Sequence, residues 1–194
     1  MKKILLFAGM IGLGTVAASL QSCDKVKEEI INHIDPFTYS QSNISFEAPP
    51  MPLTVEYNSP EETEPLDINQ IIKKNSGLNV DIDNFSSITL QDATLHLKNG
   101  TNDANWTNIE YAEIEINTDK GLDAGKDWIT ADVSIPDDPG ERLTDKILKF
   151  PNVNLKEYLD GEGTILHYRF KIKPRRPTLT SMQFDVILRY SFKP

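Results

Sequence analysis

The pattern of this chain predicts an all-β fold, an antiparallel β-sandwich of about eight strands with one or two short helical turns. Three observations carry that expectation. From Phe37 onward apolar residues recur mainly at every second position, the period of a strand with one buried face. Twelve prolines and ten glycines break the chain into short segments, as the turns of sandwiches and barrels do. No stretch keeps a 3.6-residue period for more than about two turns.

The chain opens on a different pattern. Met1, Lys2 and Lys3 make a short cationic start to an uncharged run of 17 residues, 4–20, the form of a secretory signal peptide. A retained membrane span is the poorer reading, because the run is short, holds three glycines and meets Gln21 at once. At its end stand Leu20, Gln21, Ser22 and Cys23, the one cysteine of the chain. These residues resemble the lipobox of bacterial lipoproteins, although Gln21 stands where Ala or Ser is commoner. The resemblance implies that the Cys23 thiol takes a diacylglycerol, that the chain is cut before it, and that the new α-amine is acylated. Soluble export with a lone thiol is the competing reading.

On that expectation residues 1–22 are the signal, 23–36 a lipidated tether and 37–194 the sandwich. Cleavage removes two lysines and no acids, so the remaining 172 residues carry a formal net charge of −11. Such a surface repels anionic membranes, which leaves acyl chains, at about 0.8 kcal/mol per buried CH₂, as the anchor. Its acidity also argues against nucleic acid as a partner. A single cysteine excludes an internal disulfide and any zinc site built on two thiolates.

The elements follow in order. Residues 24–34 place Val26, Ile30, Ile31 and Ile34 at a spacing that suits a short helical tether, closed by Pro36. Ile44, Phe46 and Ala48 predict one strand, and Met51, Leu53, Val55 and Tyr57 a second, across a Pro49-Pro50 break. Residues 58–66 (NSPEETEPL) read as an acidic loop. Asp67 as a cap, Ile68, Ile71 and Ile72 as one face and Gly77 as a stop predict a two-turn helix that must pack on the sheet.

Ile88 and Leu90, then Ala93, Leu95 and Leu97, change parity near Gln91-Asp92, the mark of a β-bulge. Ile109 and Tyr111, then Ala112, Ile114 and Ile116, change it in reverse, so these two strands are expected to pair. Ile129, Ala131, Val133 and Ile135 predict the next strand, ended by the turn at 136–140; Ile147, Leu148 and Phe150 follow, then a helical turn over 155–161. The clearest strands are the last two, with Leu166, Tyr168, Phe170 and Ile172 in one and Phe184, Val186, Leu188, Tyr190 and Phe192 in the other. They are expected to form a hairpin whose second face, bearing Asp185 and Arg189, lies in water and contributes only about 0.5 kcal/mol per residue.

Candidate chemistry is sparse. The histidines are His33, His96 and His167, and no Gly-x-Ser-x-Gly, His-Glu-x-x-His or phosphate-cradling glycine loop occurs. Strand parity turns His96 and His167 outward. No acidic cluster has the calcium-loop spacing; Asn117, Asp119 and Asp123 are the best of the weak metal candidates, with solvated turn carboxylates as the plainer reading. Trp106 and Trp128 are candidates for stacking on a sugar, against core packing. Arg175 and Arg176 are candidates for an anionic glycan or lipid head group, against a solvated hairpin tip. No cofactor is implied.

The lipid signal, short tether and all-β body resemble small envelope lipoproteins of Gram-negative Bacteroidota. The first expectation is therefore a non-catalytic lipoprotein of a bacterial envelope, anchored in the outer membrane, whose sandwich binds or supports a protein or glycan partner. A carrier holding a lipid or other apolar ligand between its sheets is second, and would need an apolar cavity. An enzyme without a recognisable motif is third.

Overall fold

The computed structural model describes residues 34–121 and 128–194. The signal run, the Cys23 motif, nearly all of the tether and Asp123 lie outside the described residues. The described chain runs β1 (Phe37–Ala48), β2 (Tyr57–Asn58), β3 (Glu62–Leu66), α1 (Ile68–Ser76), β4 (Ser87–Leu97), β5 (Ile109–Thr118), β6 (Ile129–Ser134), β7 (Lys146–Lys149), β8 (Thr164–Pro174) and β9 (Met182–Lys193). It is a sandwich of two antiparallel sheets. One has the order β1-β9-β4-β7, and the other β2-β8-β5-β6 with β3 also on β8.

The inward rows meet in an aromatic layer. Phe46 stacks on Phe184 of its own sheet at 4.6 Å and on Phe170 of the opposite sheet at 3.9 Å between ring centroids. Period two placed these rings correctly, since the even residues of β8 and β9 are buried. Two of the three register shifts among the described strands fall where parity changes, between Leu90 and Asp92 and between Ile109 and Tyr111; the third, between Gln41 and Ile44 of β1, was not foreseen. α1 has its Asp67 cap, with the carboxylate accepting from Gln70 N at 2.8 Å, its buried isoleucines, and Gly77 in the left-handed region at φ 70°. In the 155–161 segment only Lys156–Tyr158 turns, as a 3-10 helix that ends before Gly161.

Four expectations fail, each for a physical reason. β4 and β5 do not pair: β4 lies between β9 and β7, and β5 between β8 and β6. β8 and β9 do not form a hairpin either, because residues 175–181 carry the chain from one sheet to the other. A strand with one buried face shows the same alternation whether its neighbour in sequence lies beside it or across the core, so parity cannot tell the two apart. Residues 51–56 are not a strand; Pro49, Pro50 and Pro52 remove backbone donors there. Conversely the acidic stretch 58–66 is edge strand. Ser59 bridges the proline gap between β2 and β3, its hydroxyl accepting from Phe170 N at 2.9 Å.

The second face of β9 is also not simply watered. Arg189 reaches across to Asp92, which the β4 bulge leaves on the outer face of that sheet with a side chain only 3% exposed, and Lys149 of β7 bonds the same carboxylate at 2.9 Å. Desolvation opposes the charge on Asp92, yet the two cations outweigh it and hold the carboxyl below its ordinary value.

Candidate functional site

Strand register gathers four loops at one end of the sandwich. Ala48 pairs with Met182, Leu97 with Phe184, Ile109 with Pro174, Tyr111 with Ser134, and Leu95 with Lys146. Residues 49–56, 98–108, 135–145 and 175–181 therefore share the end opposite Phe37, about 36 Å along β1 at the usual strand rise.

Backbone bonds tie the loops to one another. Asn108 O accepts from Arg175 N at 2.6 Å and Arg176 N at 3.1 Å, and Asn108 Nδ2 donates to Pro177 O at 3.2 Å. Met51 and Thr178 pair reciprocally, Thr178 N donating to Met51 O and Met51 N to the Thr178 hydroxyl, both at 2.9 Å. Met51 is 5% exposed and Thr178 fully buried, so the two segments are pinned at their bases.

What stands above those bases is apolar. Leu53, two residues past Met51, is 69% exposed; Val55 is 64%, Leu179 is 68%, and Leu143 is 57%. These are four of the six large exposed hydrophobic side chains among the described residues; the other two, Ile147 and Ile165, sit on strands. Gly100 lies directly against Leu143: a Cβ there would come within 2.4 Å of Leu143 Cδ2, the free end of an exposed side chain. Sequence reasoning missed the exposure of Leu53 and Val55 by taking the alternation of Met51, Leu53 and Val55 for a strand. The available signal was Pro52 beside the Pro49-Pro50 pair, which deprives that alternation of a ladder.

The residues singled out beforehand are not brought together as a ligand site. Trp106 is completely buried, tilted against Phe184 at 5.1 Å with Lys146 Nζ 6.0 Å over its ring. It has no free face for a sugar, and that expectation is corrected: its loop plugs the end of the core, held by Trp106 N donating to Arg142 O at 3.1 Å. Arg175 is a brace between loops, Nη2 donating to Ile135 O at 2.6 Å and Nη1 to Thr107 O at 3.5 Å. Arg176 is exposed and ion-paired with Asp137.

Trp128 lies elsewhere, ahead of β6, half-buried beneath the Arg169 guanidinium at 4.2 Å. Arg169 belongs to a cross-strand charge ladder on the outer face of the second sheet, pairing with Glu115 as Lys171 does with Glu113 and Lys173 with Glu110. Burial opposes ionisation of Glu113, but the Lys171 ammonium at 2.6 Å and the Tyr111 hydroxyl hold its carboxyl below the ordinary value. The same carboxylate raises Lys171.

Of the metal candidates, Asp119 exchanges bonds with Ile165 through its carboxylate and its backbone N–H, each at 3.1 Å. Asn117 Oδ1 accepts from Thr118 N at 2.8 Å. Among the described residues no group of three His, Cys, Asp or Glu side chains is gathered for a metal ion. His96 and His167 do face outward, each beside a carboxylate at 2.7 Å, Asp145 and Glu61 respectively. A polar cleft of about 370 Å³ beside α1 is lined by Asp67, Asn69, Gln70, Lys73, Asp81 and Glu162 among others. Asp67 and Asp81 there cap the turns that follow them.

Neither a protein-family model nor a curated protein matches the chain. Among solved structures, "Structure of infectious bursal disease virus Gx strain" is similar at a TM-score of 0.36 and 8% identity, over 82% of this chain and 32% of that one. "Crystal structure of decameric BFDV Capsid Protein" is similar at a TM-score of 0.33 and 9% identity, over 82% of this chain and all of that one. This chain thus spans about a third of the first and the full length of the second. At such scores neither likeness carries an argument about what the chain binds or does.

Proposed function

We propose that this chain is a non-catalytic lipoprotein of a bacterial envelope, anchored in the outer membrane through Cys23, whose sandwich docks a protein partner on its apolar loop end. The observation that carries this reading is the set of exposed leucines and valine held on loops that are pinned at their bases. Large aliphatic side chains exposed at one end of a fold are candidates for an interaction site, and loops already ordered lose little entropy on binding. A protein is favoured over a glycan because the exposed side chains are aliphatic, while Trp106 is buried and Arg175 is engaged within the fold. A packed module is favoured over a carrier because Phe46, Phe170 and Phe184 fill the space between the sheets. Against an enzyme, the sequence lacks a catalytic motif, and His96 and His167 lie on different sheets.

Two tests follow. Leu53→Asp combined with Leu179→Asp is expected to leave folding stability within about 0.5 kcal/mol, since both side chains are solvated. The same change should abolish recovery of the partner that crosslinks to the wild-type lipidated protein in its own envelope. Recovery of that partner by the double variant would overturn the docking site. Cys23→Ala is expected to lose metabolic fatty-acid label and either leave the membrane or keep its signal attached. Label equal to wild type would overturn the anchor.

A further inference from the structure

At the base of the loops that carry Leu53 and Leu179 stands an exposed carboxylate with two hydrogen-bond donors and no ion pair among the described residues. Glu47, on the outer face of β1, is the last charged residue before the 49–56 segment, and Tyr57 Oη reaches its carbonyl at 3.3 Å. Its carboxylate accepts from Gln183 Nε2 at 3.2 Å, on the neighbouring strand, and from Ser181, two residues after Leu179. Those bonds hold the carboxyl below its ordinary value, the Ser181 hydroxyl contributing most, and the register sets Glu47 opposite Gln183 at the base of the segments that carry Leu53 and Leu179.

No Lys or Arg among the described residues forms an ion pair with Glu47. Lys98, whose backbone N–H donates to Gln183 O, pairs with Asp185 at 3.2 Å, and Arg176 of the 175–181 segment pairs with Asp137. Glu56, at the far end of the same loop, is likewise exposed and without an ion pair among the described residues. A partner that buried the leucines while leaving Glu47 without a counter-charge would desolvate a carboxylate at a cost; one that supplied a cation would not.

We infer that the partner of the apolar tip is a protein segment that sets a lysine or arginine beside an aliphatic or aromatic side chain, the cation meeting Glu47 and the apolar group lying over Leu53 and Leu179. The inference rests on the docking reading above and adds the chemistry of the partner. The full lipidated chain in phosphatidylcholine vesicles, panned against a random dodecapeptide display library, tests it. Selected peptides are expected to be enriched in Lys or Arg next to Leu, Ile, Phe or Tyr. Their affinity should fall about fivefold in Glu47→Gln at low salt, the upper range for a single exposed ion pair, and should weaken with added salt. It should be lost in the Leu53→Asp, Leu179→Asp variant. Peptides that need the two leucines but bind Glu47→Gln as well as wild type would overturn the cation and leave the docking site standing. Peptides indifferent to the leucines, or no selection at all, would overturn both.

Discussion

Phe184→Ala is expected to cost about 3 to 5 kcal/mol in urea unfolding, a large part of the 5 to 15 kcal/mol typical of a domain. The residue is completely buried on β9, with the Phe46 ring at 4.6 Å and the Trp106 ring at 5.1 Å. Phe46 in turn touches Phe170 of the other sheet, so truncation opens a void where the sheets and the 98–108 plug meet. β9 and β8, which carry Phe184 and Phe170, are paired on both sides and resist closing it. A loss below about 1 kcal/mol would show that these rings are not the bridge between the sheets. Asp185→Asn, on the outer face of the same strand and paired with half-exposed Lys98, is the control and should change stability by about 0.5 kcal/mol.

Arg189→Met is expected to cost about 2 to 3 kcal/mol at pH 7, several times the value the sequence predicts for that face. Arg189 itself is 45% exposed, but the Asp92 carboxylate it serves is not. Its removal leaves a buried carboxylate with Lys149 as its one remaining cation, and an incompletely paired buried charge is what such a change exposes. The pH dependence has a definite sign. Asp92 has its carboxyl lowered in the fold from 3.8, so its contribution is complete above that value and is lost as pH falls through the lower folded one. In the variant the lowering is reduced, and protonation of Asp92 relieves the defect. The deficit relative to wild type should therefore shrink as the pH is taken from 7 to 3. A deficit independent of pH would assign the loss to packing of the arginine stem instead of to the charge.

How far this fold was legible turns on what alternation encodes. The inward rows of β4, β5, β8 and β9, the bulges of β4 and β5, and α1 with its cap and stop were readable because each is a local event, set by side chains a few residues apart. Strand order was not readable. The 98–108 and 175–181 segments each look like the loop of a hairpin, yet each crosses the core, because Trp106 in one and Thr178 in the other bury at the sandwich end. The Asp92 triad was hidden for the same reason, since Asp92, Lys149 and Arg189 lie 40 or more positions apart and meet only through the β7-β4-β9 order.

Alone, the sequence determined a sandwich-forming chain, most of its buried faces, the bulges of β4 and β5 and the capped helix α1, because periodicity, proline and glycine act over one or two turns of backbone. Tertiary structure alone decided that Trp106 is a core plug, that Arg175 is a brace, and that Leu53, Val55, Leu143 and Leu179 share one end. Each of those outcomes depends on which strands become neighbours, and neighbours are selected by packing two whole faces against each other, a condition no local run of residues records.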